Sequence, residues 1–256
     1  MHNIRRKLLS QNFLHSHKLI THLVGRSSIG KNDLVVEIGP GKGSITEQLL
    51  EHAGHVIAVE LDAQWYRYLQ EKFRIVNNLT LYQADFLTHS LPVLPYKVFA
   101  NIPFAIEGKI IRKLIESPNP PLDSYLVVMG ELAYRLSAQH RENMFSVMHK
   151  PWFDFSIAYR FRPQDFTPIP SVHPVLFRFT MKSSPLLPWE ERKQYREFVQ
   201  KAFADGQPVR NNLRKLYPVQ HIDEVLQQLS LNRKIRPSYL HVVQWAVLYK
   251  KLNRIY

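Results

Sequence analysis

Short apolar runs and apolar residues at helical spacing alternate along the first two thirds of the chain. Val35, Val36 and Ile38 form a run suited to a buried parallel strand, and Ile45, Leu49 and Ala53 then recur on one helical face. The mostly apolar stretch His55–Leu61 predicts a second strand, and Leu79–Leu87 a third with Asp85 near its end. Lys97–Ala100 reads as a fourth strand after Pro92 and Pro95. A helix carrying Ile110, Ile111, Leu114 and Ile115 follows, then a fifth strand at Tyr125–Met129 and a helix over Glu131–Ala138. Trp152–Arg162 and Val175–Thr180 suit an antiparallel hairpin that closes the sheet. From residue 189 the texture is purely helical, as in Tyr195, Phe198, Val199 and Phe203. The pattern predicts an α/β domain over residues 1–182 and a small α-helical domain over 183–256, joined through the proline-bearing segment SSPLLP.

Gly39-Pro40-Gly41-Lys42-Gly43, between the first strand and its helix, lets the backbone turn tightly against a ligand. Ser44 and Glu47 have the S-x-x-E spacing of a capping box. Glu60, 17 residues after Gly43, is carried to the rim of the sheet, where a carboxylate suits the two hydroxyls of a ribose. The dinucleotide fingerprint would need glycine where Ser44 stands. The E-x-G-x-G-x-G form with its strand-terminal acid resembles the first motif and ribose-binding acid of S-adenosylmethionine-dependent methyltransferases. Glu60 by itself suits either cofactor, and the glycines alone are also compatible with an ordinary turn.

Composition narrows the picture. The 256 residues include no cysteine, which excludes disulfides and thiolate metal sites and fits a reducing cytoplasm. No apolar run approaches the roughly 18 residues that span a bilayer, and Arg5-Arg6-Lys7 is not followed by a signal-peptide core. A soluble cytoplasmic protein without a membrane partner is expected. The net charge of +13 is segregated: residues 1–32 hold six Lys/Arg and no acid, residues 33–177 hold 13 basic against 15 acidic, and residues 178–256 hold 15 against six. Basic ends around a slightly acidic middle suit a protein that grips a polyanion at its ends. The histidines form no H-E-x-x-H, and pairs such as His15/His17 and His52/His55 lack companion ligands, so no metal is expected.

Two further motifs decide the class. Lys7–Leu14 contains S-Q-N-F-L, in which Ser10 or Asn12 could equally cap the helix through Leu19, Ile20, Leu23 and Val24. Asn101-Ile102-Pro103-Phe104 stands directly at the end of the fourth strand, where open α/β sheets bind ligands. N-I-P-F is similar to the [N/D/S]-P-P-[Y/F/W] motif of enzymes that methylate exocyclic amino nitrogens. S-Q-N-F-L, the glycine turn, the strand-terminal Glu60, Asp85 and N-I-P-F occur in the order and at about the spacing of one family over residues 10–104. The chain resembles the family containing the Erm-type 23S rRNA adenine-N6 methyltransferases and the small-subunit rRNA adenine dimethyltransferases. S-Q-N-F-L begins only ten residues into the chain, leaving no space for a cleaved transit peptide.

The resemblance implies a Rossmann-like S-adenosylmethionine-dependent methyltransferase sheet with helices on both faces. It implies that Asn12, Leu14, Gly39, Gly41, Gly43, Glu60, Leu61, Asp85, Phe86 and Asn101 hold the cofactor, Asp85 accepting from the adenine amino group between Leu61 and Phe86. The Asn101 side-chain oxygen and the Ile102 carbonyl would each accept an N6 proton of the substrate adenine, Pro103 stiffening the turn and Phe104 stacking on the base. Phe166-Thr-Pro-Ile-Pro-Ser-Val172 resembles the family's F-x-P-x-P-x-V loop, with Phe166 as a second aromatic wall; a hydrophobic loop anchor is the competing reading. Ser171 and His173-Pro174 depart from the commoner flanks of that loop, which bears on substrate contacts. Arg5, Arg6, Lys7, Arg210, Arg214, Lys215, Arg233, Lys234 and Arg236 are expected to meet RNA phosphates, with Arg210, Arg214 and Lys215 aligned on one helix. N-I-P-F and the segment K-P-W-F-D-F at Lys150–Phe155 favour the Erm type, hence 23S rRNA and macrolide-lincosamide-streptogramin B resistance, acting as a monomer. The close alternative is the small-subunit (16S) dimethyltransferase. An NAD-dependent oxidoreductase would leave N-I-P-F idle, and a non-catalytic RNA-binding factor would leave the cofactor residues idle.

Overall fold

The computed structural model describes residues 12–138 and 140–253. The chain divides into two compact units, one formed by residues 1–133 and 156–180, the other by 134–155 and 181–256. Arg5, Arg6 and Lys7 lie outside the described residues.

The first unit is built on the parallel strands β2 (Leu34–Ile38), β3 (His55–Glu60), β4 (Leu79–Gln83), β5 (Lys97–Asn101) and β6 (Asp123–Met129). A short strand β1 (Phe13–Leu14) precedes them, and β7 (Phe153–Arg160), β8 (Phe166–Thr167) and β9 (Pro174–Met181) follow. The seven-stranded sheet has the order β4-β3-β2-β5-β6-β9-β7, with β9 antiparallel to β6. Helices α1 (His17–Gly25), α2 (Ser44–His52), α3 (Ala63–Lys72) and α4 (Glu107–Glu116) accompany the strands. From β2 the chain steps outward to β3 and β4, then returns to place β5 on the other side of β2. Right-handed crossovers leading in opposite directions put helices on both faces, and the reversal leaves a crevice at the carboxyl ends of β2 and β5.

The opposite edge of the sheet is pinned by charge. Asp123, buried at the start of β6, accepts from Arg178 Nη2 at 2.7 Å, Ser28 Oγ at 2.7 Å and the Tyr125 hydroxyl at 3.1 Å. Lys97, starting β5, reaches Asp33 at 2.8 Å. These contacts fix the strand starts, so the strand ends are free to carry a site. The expected third strand is shorter than the apolar pattern suggests: β4 stops at Gln83, and Asp85 lies in the turn beyond it.

In the second unit, α5 (Gly130–Ser137) crosses from the first, and α6 (Met144–His149), α7 (Arg192–Ala202), α8 (Val209–Leu213), α9 (Val219–Gln228) and α10 (Val242–Asn253) make a helical bundle. Its core is aromatic: Tyr195 meets Trp152 edge-on at 5.5 Å and Tyr249 at 5.2 Å, and Phe203 stacks on Trp245 at 5.6 Å. Trp152 is fully buried there. That burial explains why residues 134–155 fall with the helices, whereas the apolar pattern places the boundary only at 182/183.

Gly43 carries the tightest steric requirement at the start of α2. Its φ is +76°, and a Cβ would come within 2.8 Å of Leu69 Cδ2 and 2.9 Å of Phe73 Cε2. Left-handed strain and overpacking together make Gly43→Ala costly, by about 3 kcal/mol. Urea unfolding is expected to show that loss; a change below about 0.5 kcal/mol would mean that the turn relaxes freely.

Candidate functional site

The glycine turn leaves β2 with Gly39, Gly41 and Gly43 all at positive φ, a path that residues with side chains rarely take. It is tied to the next strand at two points: Gly39 N–H donates to Val59 O at 2.9 Å, and Gly41 N–H to Glu60 Oε2 at 2.9 Å. Glu60 Oε1 accepts from Asp62 N–H at 2.8 Å. Burial pushes the Glu60 carboxyl above its ordinary pKa, against the backbone donors of Asp62, Gly41 and Leu61 that pull it down. Each of its oxygens keeps a second lone pair, so the group can still accept from hydroxyls. Leu61, next in the chain, is 51% exposed and offers an apolar surface beside it.

The S-x-x-E spacing does not form a capping box. Gly43 takes the cap position and Ser44 already lies in the first turn of α2, so no side chain caps the helix. Glu47 turns instead to Lys72 Nζ at 2.9 Å, which also donates to Lys42 O. The amide groups that open α2 are therefore left to the crevice, a favourable place for negative charge.

Asn101 closes the other side. Its Nδ2 donates to the Asn12 carbonyl at 2.7 Å. A carbonyl can only accept, so the amide nitrogen must face Asn12 and Oδ1 must face away. Asn12 is delivered there because β1 pairs antiparallel with β8, Leu14 opposite Phe166 and Phe13 opposite Thr167. Asn12 thus engages Asn101 through its backbone; Ser10 lies outside the described residues, and the cap of α1 is Ser16, whose Oγ accepts from Leu19 N–H. Phe13, Leu14, Glu37, Gly39, Ser44 and Asn101 line one crevice.

The remaining N-I-P-F residues form the turn after β5. Ile102 is buried, Pro103 accepts from Ile106 N–H at 3.1 Å, and Phe104 is half-buried against the main apolar core. Phe166 is not a wall facing it. It is 1% exposed, with its ring edge-on to Phe161 at 5.2 Å. The β1–β8 pairing turns that ring into the core, and Phe166 serves as the anchor of its loop.

Asp85 is exposed and caps its own turn, Oδ1 accepting from Leu87 N–H at 2.8 Å. That leaves its second oxygen for an amino donor. Phe86 is only 5% exposed and so provides little surface for a ligand. Lys113, which the sequence did not single out, holds this turn: Nζ donates to Phe86 O at 2.5 Å and to His89 O, and sits 5.0 Å from the Phe86 ring.

The basic residues of the second unit divide into paired and free. Arg210, on α8, is bidentate to Asp223 at 2.5 and 3.0 Å, and Arg233 lies 3.4 Å from the same carboxylate. The Arg210 guanidinium lowers the Asp223 pKa and its own is raised. Arg214 and Lys215 lie past the end of α8 instead of aligning on it. Lys215 is 3.7 Å from Asp205, while Arg214, Lys234 and Arg236 point into solvent. Among the described residues no group of three His, Cys, Asp or Glu is placed to hold a metal ion, and no helix is long and apolar enough to cross a membrane.

Glu37 is the site residue that motif reading left unassigned. Its signal was a lone acid inside the apolar run Leu34–Ile38. Its carboxyl accepts from Thr46 Oγ1 at 2.7 Å, and burial pushes its pKa up to about 8, with Glu60 adding repulsion. Between pH 4.5 and 8 Glu37 thus stays protonated in the folded chain but ionises when unfolded, so this group removes stability as pH rises through that window. Without cofactor, Glu37→Gln should gain stability over the parent as pH rises from 5 to 8, by at most about 1.4 kcal/mol per pH unit. Denaturation curves at several pH values that stay parallel would contradict the burial of a neutral acid.

The model of the family described as ribosomal RNA adenine dimethylase matches residues 1–254. An rRNA adenine N-6-methyltransferase of Bacillus anthracis is 28% identical over 95% of this chain and 86% of its own length. A ribosomal RNA small subunit methyltransferase A of Nostoc punctiforme is 32% identical over 96% and 94%. The crystal structure of the 23S rRNA methyltransferase ErmE superposes with a TM-score of 0.83 at 26% identity, covering 94% of this chain and 100% of that one. With the family model spanning nearly the whole chain, the chain belongs to the ribosomal RNA adenine dimethylase family and is an S-adenosylmethionine-dependent rRNA (adenine-N6)-methyltransferase.

Proposed function

We propose that this enzyme methylates N6 of an adenine in 23S rRNA and thereby confers macrolide-lincosamide-streptogramin B resistance, working in the cytoplasm as a monomer. The observation that carries the chemistry is the fixed direction of the Asn101 amide at the end of β5, beside the glycine turn. The 23S assignment is supported by N-I-P-F, by K-P-W-F-D-F, and by the likeness to the Bacillus anthracis enzyme and to ErmE. The small-subunit reading is supported by the higher identity, 32%, of the Nostoc punctiforme relative.

The donor set fits the cofactor. Glu60 suits the ribose hydroxyls, Asp85 and Leu61 the adenine, the uncapped start of α2 a carboxylate, and the Glu37 carboxyl an ammonium. When bound, S-adenosylmethionine supplies a methyl group activated by a sulfonium. Every other task falls to the chain. The lone pair of an adenine N6 is delocalised into the ring and attacks poorly. Asn101 Oδ1 and the Ile102 carbonyl accept hydrogen bonds from its two N–H groups and turn the lone pair out of the ring plane toward the methyl group. Asn12 keeps Oδ1 on the correct side, and Phe104 stacks on the extruded base. Arg214, Lys234 and Arg236, which have no acidic partner among the described residues, contact RNA phosphates, with Lys215 joining after releasing a solvent-exposed Asp205.

Asn101→Ala is expected to leave S-adenosylmethionine affinity within a few-fold and to lower methyl transfer by about two to three orders of magnitude. Phe104→Ala should lose more activity than Phe104→Tyr, which keeps a ring. A tritiated-methyl assay with unchanged turnover in Asn101→Ala would remove its assigned role. Primer-extension mapping on 23S rRNA and on assembled small subunits tests the substrate: a new stop in naked 23S rRNA is expected, and stops confined to the small subunit would overturn that assignment.

A further inference from the structure

The second unit holds a concavity of about 400 Å³, within the size range of small-ligand sites and made of residues that take no part in the Asn101 crevice. Helix α5, the segment after it and the turn before α10 meet around it. Its most distinctive feature is a stack: the Arg141 guanidinium lies 4.4 Å from the centre of the Tyr239 ring, and Tyr239 is 51% exposed. The acid of the pocket is already neutralised. Glu142 has Lys150 Nζ at 2.8 and 2.9 Å from its two oxygens and the Ser146 hydroxyl at 2.6 Å. Among the described residues that leaves Arg141 as the uncompensated charge of the pocket, flanked by the exposed imidazoles of His140 and His241.

These groups select a ligand. A free inorganic anion would use the cation and leave the ring idle. An apolar ligand would use the ring and strand the guanidinium, the imidazoles and the Lys150–Glu142 pair against hydrocarbon. A nucleotide uses all of them. Its base has a π-face for the Arg141–Tyr239 stack, and its phosphate matches Arg141 and the histidines. We infer that this pocket takes one unpaired nucleotide of the substrate RNA, a residue other than the acceptor adenine, with its base on the Arg141–Tyr239 stack and its phosphate on Arg141, His140 and His241. The inference rests on the rRNA-methyltransferase reading and deepens it: the second unit grips RNA at a defined base position in addition to its exposed cations. Stacking tolerates any base, so the pocket recognises a splayed-out conformation more than a sequence.

The test uses the full-length enzyme and an rRNA fragment that it methylates. Arg141→Ala and Tyr239→Ala should each raise the RNA Kd about five- to tenfold, with S-adenosylmethionine affinity and turnover at saturating RNA unchanged. Arg141→Ala should also reduce the slope of log affinity against log salt by about one, while Tyr239→Ala keeps the slope and Tyr239→Phe keeps the affinity. Photo-crosslinking of 4-thiouridine-substituted RNA to the unaltered enzyme gives a readout independent of variant folding, and it should label the peptides bearing Arg141 or Tyr239. Parent-like Kd values in both alanine variants, or crosslinks confined to other peptides, would overturn the inference. If the parent methylates the RNA but the variants bind it normally, only this pocket's role falls; if the parent transfers no methyl group to rRNA, the underlying reading falls with it.

Discussion

Strands β2 and β5 lie side by side in the sheet while the chain leaves them in opposite directions, and the chemistry of this protein depends on that reversal. No crossover connection covers the carboxyl ends of the two strands. The glycine turn that ends β2 and the Asn101 turn that ends β5 therefore face one crevice although some sixty residues separate them in the chain. Ion pairs and hydrogen bonds gather at the opposite edge, around Asp33, Lys97, Asp123 and Arg178. The sheet is thus held at the strand starts and leaves its functional ends unencumbered.

Within the crevice, backbone groups do much of the orienting. Gly41 N–H holds Glu60, Asp62 N–H holds its other oxygen, and the Asn12 carbonyl sets the direction of Asn101. The β1–β8 pair joins the end of the N-terminal motif to the F-x-P-x-P-x-V loop. Pairing Leu14 with Phe166 delivers Asn12 to Asn101 and buries the Phe166 ring.

Features set by local backbone demands were legible in the chain: glycines where φ is positive, an acid at a strand end, an amide at the end of the next inner strand. Apolar spacing marked β2 to β7 and β9 and the helices α1, α2, α4 and α5, but not the short strands β1 and β8 or the helices α3 and α6. What escaped depends on partners distant in sequence. Nothing near Phe166 announces that Leu14 will pair with it, and nothing near Trp152 says that it belongs with Tyr195 in the helical unit. The Ser44–Glu47 spacing mimicked a cap because sequence does not reveal that Gly43 takes the cap position and Lys72 recruits Glu47. Likewise a row of cations cannot disclose that Asp223 occupies Arg210, or that Lys113 staples the Asp85 turn.

We propose that the crevice presents two acceptors to an exocyclic adenine amine and so directs methyl transfer to N6. Nucleoside mass spectrometry of rRNA after incubation with the enzyme and S-adenosylmethionine tests it directly. N6-methylated or N6,N6-dimethylated adenosine is expected as the new product. Methylation at a ring nitrogen, at the ribose hydroxyl or on another base, with adenosine N6 unmodified, would contradict it.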